Sequence, residues 1–183
     1  MFFYTIETER LILRELNEGD FLSIHSYASD PEVSKYLPWG PNNEADTKVF
    51  LDRVIKYQYD NPRYDYEIGV VTKEDDNLIG ACSIHVSNSY NKEGWIGYCY
   101  NKQYWENGYG SETAKYIIKF GFEDLKLHRI FATCDPNNIG SAKVLEKIGM
   151  KKEGHLREHK WQKGSWRDSF LYSILEHEYR ESL

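Results

Sequence analysis

The sequence predicts a mixed α/β fold in which helices cover one sheet, and three features predict it. Strand-like runs crowd residues 64–100. Two amphipathic stretches, 108–125 and 138–148, bracket an apolar run at 128–134. A hairpin-like pair of runs closes the chain at 152–161 and 166–175. Strand–helix–strand units of this kind place parallel neighbours in a sheet. With 183 residues the chain can bury one well-covered core, so one domain over 1–183 is expected.

Leu11, Ile12, Leu13 and Leu16 mark a first strand at 9–16. Asn17 then caps a helix from Glu18, with Asp20 in its first turn. Pro31 opens a short helical turn to Tyr36, and Pro38-Trp39-Gly40-Pro41-Asn42 is a loop by composition. Val49, Phe50, Arg53, Val54 and Tyr57 recur at helical spacing within 44–59, and Asn61-Pro62 ends that helix. Strands follow at 64–72, 78–86 and 94–100, separated by the Asp75-Asp76-Asn77 turn and a polar loop at 87–92. In 108–125, Ala114, Ile117, Ile118, Gly121, Phe122 and Leu125 share one helical face. The run 128–134 is almost continuously apolar, as a central strand is. Gly149 supplies a left-handed stop for the helix at 138–148, and Lys163-Gly164 turns the final hairpin.

Composition narrows the function. The net charge of −6 argues against general nucleic-acid binding, which draws its affinity from a basic field, and favours a cationic partner. Cys82, Cys99 and Cys134 all lie in strand-like runs, and an odd number without close spacing suits buried thiols in a reducing compartment. No window reaches 18 apolar residues, and the opening segment lacks the charged-then-apolar order of a secretion signal. A cytoplasmic chain without membrane contact is expected. His155 and His159 could share a metal on a helix, but as strand residues they stand about 13 Å apart, so no metal site is expected.

The informative stretch runs from Tyr98 to Glu112, where a strand gives way to an Asn- and Gly-rich turn and then to a helix. The first amides of a helix lack internal acceptors and carry the positive end of its dipole. Gly108 and Gly110 remove side chains that would keep a phosphate from the backbone. The dinucleotide fingerprint fails because Thr113 stands where its third glycine belongs, and no Gly-Lys-Ser/Thr follows for a nucleotide P-loop. Alone, Gly108-x-Gly110 also describes an ordinary tight turn. The second helix adds weight, because Ser141 shares the stripe of Val144, Leu145 and Ile148 and so points inward near that helix's start.

Together Trp105-Glu106-Asn107-Gly108-Tyr109-Gly110-Ser111-Glu112, Leu127-His128-Arg129-Ile130, Asn138-x-x-Ser141 and Gly149-Met150 resemble the RimJ/RimL-like branch of the GNAT acetyltransferases. The similarity extends from Thr8-Glu9-Arg10-Leu11 to the closing strand. It implies a mostly antiparallel sheet of about seven strands with flanking helices, whose splayed parallel pair admits acetyl-CoA. By that resemblance Tyr98 and Tyr100 offer backbone groups to the pantetheine, and the amides of Asn107, Gly108, Tyr109, Gly110 and Ser111 hold the pyrophosphate. Asn138 bonds the pantetheine arm, and Ser141 is the acid that meets the leaving thiolate, since Val144 and Leu145 stand where many members carry a tyrosine. The implied partners are acetyl-CoA and an amine, either a protein N-terminus or a small molecule, and the family admits homo-oligomers.

Direct attack on a thioester needs a positioned, neutral amine and a stabilised oxyanion. An α-amine with a pKa of about 7.7–8.0 asks little of a base, whereas a lysine-like amine at about 10.4 costs roughly 3.5–4 kcal/mol more to neutralise. Where RimL-like members often carry a carboxylate, this chain has Lys160, and Glu158 lies two residues earlier. Trp95 replaces the glutamate that others carry before the Ile-Gly-Tyr of the splayed strand, leaving Glu93 as the nearest acid. Glu158, Glu93 and Glu67 are therefore the candidate bases, with His85 a further proton carrier. Trp39, Tyr36, Trp95 and Trp161 are candidate walls of an acceptor pocket between the first helices, the Pro38 loop and the final hairpin.

Overall fold

The computed structural model describes residues 5–181. Eight strands form one sheet in the order β1-β2-β3-β4-β5-β6-β8-β7. They are β1 (Ile6–Glu7), β2 (Leu11–Glu15), β3 (Asp65–Thr72), β4 (Leu78–Asn88), β5 (Glu93–Tyr100), β6 (Arg129–Cys134), β7 (Lys151–Gln162) and β8 (Ser165–Leu175). The helices are α1 (Phe21–Ala28), α2 (Glu44–Tyr57), α3 (Tyr109–Glu123), α4 (Ile139–Lys147) and α5 (Glu176–Glu181). Every ladder is antiparallel except β5–β6. The mixed, mostly antiparallel sheet matches the expected class, with one strand more than expected because Ile6 and Glu7 pair with Leu13 and Ile12.

Alternation along the strands sorts the core into two layers. Leu11, Leu13, Tyr66, Ile68, Ile84, Ile96 and Ile130 pack with Ile117, Ile118 and Phe120 of α3 and with Leu145 of α4. On the opposite face Ile24, Tyr27 and Ala28 of α1 meet Leu51 and Val54 of α2, with Leu78 and Cys99 packed against them. The helix starts follow their caps. Asn17 and Asp20 exchange the bonds of a capping box, as do Asn43 and Asp46. The first box begins a 3₁₀ turn at 18–20 before α1 proper. Asp20 also binds the Arg14 guanidinium through both carboxylate oxygens, at 2.8 and 2.7 Å.

Residues 31–36 form the expected turns, and Ser34 donates to the Asp30 carbonyl in one helical bond. Two features differ from expectation. The strand at 152–161 is interrupted between Leu156 and Lys160, where Glu158 adopts φ +50°. A short helix, α5, follows β8, and only Tyr179 of its residues is buried. Among the described residues no helix is long and apolar enough to cross a membrane.

Candidate active site

The parallel β5–β6 ladder is brief: Glu93, Gly94 and Trp95 pair with Arg129, Ile130 and Phe131, and pairing stops there. β5 continues to pair with β4 as far as Tyr100, and β6 with β8 as far as Cys134. The two strands thus part after Trp95, leaving a V whose β5 edge has no ladder partner. Tyr98 lies on the splayed part, and its hydroxyl reaches α4, 3.0 Å from Ser141 Oγ and 3.2 Å from the Ser141 carbonyl. Burial pushes the Tyr98 phenol far up, so it meets Ser141 as a neutral hydroxyl. Asn138 caps α4 by accepting from the Ser141 amide at 3.1 Å, which fixes Ser141 beside the V. The Tyr100 carbonyl accepts from the Trp105 indole at 2.8 Å, so of the two tyrosines Tyr98 has the freer main chain.

α3 begins differently from its neighbours. Asn43 and Asn138 cap α2 and α4, and α1 continues from a 3₁₀ turn that Asn17 caps, whereas α3 starts directly from a loop on Gly108 at φ +81° with no side-chain cap. That conformation is costly for residues with a Cβ, and a Cβ there would face open space, with Arg10 Nη2 3.6 Å away. A Cβ on Gly110 would point at Tyr100 and Val144, each at 3.5 Å, into the seam between β5 and α4. A groove of about 370 Å³ adjoins this start, where Asn107, Gly108 and Ser111 meet Arg10, Lys115 and Lys147, with the carboxylates of Glu9 and Glu112 also on its wall. Glu112 is taken up by Arg10, and uncapped amides beside the two lysines fit a diphosphate. A larger cavity, about 490 Å³, lies between the far end of α3 and α5, remote from the V.

Sequence reasoning missed what holds this turn. Arg10 donates from Nε and Nη2 to Glu112 Oε2 at 2.8 and 2.7 Å, and from Nη1 to the Asn107 carbonyl at 3.0 Å. Its guanidinium covers the Tyr109 ring at 4.6 Å. Glu112 also accepts from the Thr8 hydroxyl at 2.5 Å and the Arg10 amide at 3.1 Å. Burial alone would raise the Glu112 carboxyl, but Thr8 and Arg10 outweigh it and hold it below the usual carboxylate range. The partners are 102 residues apart, so no local spacing could join them.

On the α1 side of the sheet the structure gathers three of the candidate pocket residues and adds a fourth. His85 of β4 lies opposite Asp65 of β3 and Trp95 of β5 in register. Its Nδ1 is 2.6 Å from Asp65 Oδ1, its Nε2 is 3.3 Å from Glu67 Oε1, and its ring stacks on Trp95 at 4.0 Å. Burial would push the imidazole down, but Glu67 and Asp65 together hold it above the usual histidine range. Trp95 is the last residue paired before the strands part, so this cluster sits at the apex of the V.

The remaining candidates lie apart from it. Glu93 is bound to Arg129, at 2.8 Å, on the closed side of the V. Glu158 is exposed on the edge strand β7, its amide bonded to Asp168. Lys160 crosses to β6 and donates to Thr133 Oγ1 at 2.9 Å, and burial lowers its pKa. Trp39 is half-exposed in its loop, and Trp161 packs on Trp166 near the hairpin tip. That tip does meet the first helical region, because Lys163 Nζ donates to the Ser34 carbonyl at 2.6 Å. His155 and His159 stand on the β7 strand, bonded to Asp168 and Ser169.

Comparison with known proteins agrees with this geometry. The acetyltransferase (GNAT) domain family matches residues 10–151. An uncharacterized N-acetyltransferase of Bacillus subtilis, YnaD, is 37% identical over 177 residues, covering 95% of this chain and 98% of its own. The crystal structure of a GNAT-family acetyltransferase from Bacillus anthracis superimposes with a TM-score of 0.84 at 34% identity, over 95% of this chain and 99% of that one. A spermidine N-acetyltransferase from Vibrio cholerae, solved with CoA and spermine, has the same fold, with a TM-score of 0.81 at 21% identity over 94% of this chain and 99% of that one. The chain belongs to the GNAT family of N-acetyltransferases.

Proposed function

We propose that this chain, as a single acetyltransferase domain over residues 1–183, moves an acetyl group from acetyl-CoA to a primary amine in the cytoplasm. The observation that carries this reading is the parting of β5 and β6 beside an uncapped α3 start. The amides of residues 107–111 hold the pyrophosphate, with Lys115 and Lys147 supplying positive charge. The free edge of β5 at Tyr98 and the side-chain Nδ2 of Asn138, whose Oδ1 is taken by the Ser141 amide, meet the pantetheine arm. Acetyl-CoA supplies the activated acetyl group, and Ser141, bonded to the neutral Tyr98 hydroxyl, gives a proton to the departing sulfur. Burial pushes the Cys99 thiol up to about 12 and the Cys134 thiol up to about 11, so neither is a thiolate at neutral pH. Attack therefore falls to the amine itself.

The acceptor we favour is a protein N-terminal α-amine, in line with the RimJ/RimL-like resemblance. Lys160 places a cation against Thr133 on the splayed part of β6, where a polyamine would bring several like charges. A small cationic amine is the second reading, favoured by the carboxylates of Asp65 and Glu67. Thiol release from acetyl-CoA, measured with N-terminal peptides and with spermine, decides between them. Turnover of spermine alone would overturn the α-amine reading. Binding of CoA with no thiol release for any amine would make the chain a non-catalytic coenzyme-binding domain.

A further inference from the structure

We propose that His85 is the base that deprotonates the acceptor, with Asp65 positioning its ring and with Glu67 and the Trp95 face receiving the incoming ammonium. The inference rests on the acetyltransferase reading above and supplies what that reading lacks, a proton acceptor and a seat for the amine.

The argument starts from which nitrogen is free. His85 Nδ1 lies 2.6 Å from Asp65 Oδ1, a distance that places the proton on Nδ1 and points it at the carboxylate. Nε2 then carries the lone pair. That atom is buried without a hydrogen-bond partner, and Glu67 Oε1, which as a carboxylate can only accept, lies 3.3 Å away. A buried, unpartnered ring nitrogen beside a carboxylate is expensive unless a ligand completes it. A primary ammonium has protons to donate both to Nε2 and to Glu67.

The place is right for the chemistry. His85 pairs with Trp95, the last rung before β5 leaves β6, and both face the α1 layer with Cys99 and Gly97. Glu93 is taken by Arg129 and Glu158 faces solvent, so this cluster is the concentration of carboxylate at the apex. In the step itself the N–H bond of the ammonium breaks and its proton joins Nε2. The nitrogen keeps the electron pair with which it attacks the thioester carbonyl. As the C–S bond breaks the sulfur takes the Ser141 proton, and the second proton lost by the acylated nitrogen restores Ser141. The imidazolium so formed lies between two carboxylates and returns its proton to solvent through the partly exposed Asp65. The charged groups that bear on the ring are those two β3 carboxylates. The Tyr27 hydroxyl of α1 and the thiols of Cys82 and Cys99 are kept neutral by burial.

The test uses the whole chain with nitrogen-labelled histidine, and the variants His85→Gln and Asp65→Asn. NMR of the wild type should show His85 as the Nδ1–H tautomer at pH 8.5, charging with a midpoint above the ordinary histidine value of about 6.5. An Nε2–H tautomer, or a ring still cationic at pH 9, would overturn the proposal. With an alanine-terminated peptide and with spermine as probes, His85→Gln should lower kcat/KM about 100-fold or more at pH 7. It should also abolish the acid limb of the pH profile, and Asp65→Asn should move that limb to lower pH. Activity of His85→Gln within threefold of wild type, with its limb in place, would defeat the assignment. The thermal shift given by acetyl-CoA should be the same in all three proteins, so its absence from the wild type would mark failure of the coenzyme site and not of His85.

Discussion

Replacing Arg10 by methionine tests whether the coenzyme turn needs its anchor. The guanidinium makes two bonds to Glu112, one to the Asn107 carbonyl and a stack on Tyr109. Its side chain is 43% exposed, so solvent screens the ion pair to about 0.5–1 kcal/mol. The carbonyl bond adds about 1 kcal/mol and the ring contact about 0.5. A loss near 2 kcal/mol follows, and for a chain of this size each kcal/mol lowers Tm by about 2–4 °C. Scanning calorimetry should therefore show a fall of about 4–8 °C. The coenzyme should feel more than that fall, because Asn107 is the residue before the Gly108 amide and its carbonyl is what Arg10 holds. CoA affinity measured by titration calorimetry should drop about tenfold, or ~1.4 kcal/mol. Arg10→Lys keeps the charge but not the fork, so most of that loss should persist. If Arg10→Met melts lower yet binds CoA as tightly as wild type, the turn needs no anchor and the reasoning fails. If Arg10→Lys restores full affinity, charge alone is responsible.

Three further outcomes are expected. Gly108→Asp forces a side chain into φ +81°, costing about 1–2 kcal/mol, and sets a carboxylate in the phosphate groove, so the thermal shift with CoA should vanish; an unchanged calorimetric Kd would contradict this. Ser141→Ala should lower kcat about 100-fold with the KM for acetyl-CoA within threefold, whereas wild-type turnover would reduce Ser141 to a packing partner of Tyr98. Because Glu112 is held below the usual carboxylate range, its contribution is complete above the unfolded value of about 4.3 and is lost as pH falls through the lower folded value. The Tm advantage of wild type over Glu112→Gln should accordingly shrink between pH 7 and pH 3, and a constant difference would refute the clamp.

The elements that could be read from sequence were those with a repeating pattern. The stripe through Ile117, Ile118 and Phe122 and the apolar run ending at Cys134 needed only their periods. β1 has two residues and α5 six with one buried, too few to show any period. The Gly108 turn was legible because helix starts and glycine carry a local meaning. The packing of Gly110 could not be read locally, since Tyr100 and Val144 reach it from β5 and α4. Contacts across the fold set the rest. Glu67, His85 and Trp95 could be named one by one, but only the register of three adjacent strands makes them a cluster and brings in Asp65. Thr8 and Arg10 belong to the family-like opening, yet nothing near them in sequence points to Glu112.

β5 divides the labour by parity. Its even residues Ile96, Tyr98 and Tyr100 face α3 and α4, the side of the Gly108 turn and Ser141. Its odd residues Trp95, Gly97 and Cys99 face the α1 layer, the side of His85. A closed sheet would keep these two sides apart, since backbone bonds between neighbouring strands leave no room for a substrate arm. The V after Trp95 is the break that joins them, and it opens where β5 must part from a parallel neighbour while staying bonded to β4. Under the proposed reaction, coenzyme arriving from one face and amine from the other would meet at the splay. The odd residue standing there is Gly97, with no side chain to obstruct the meeting.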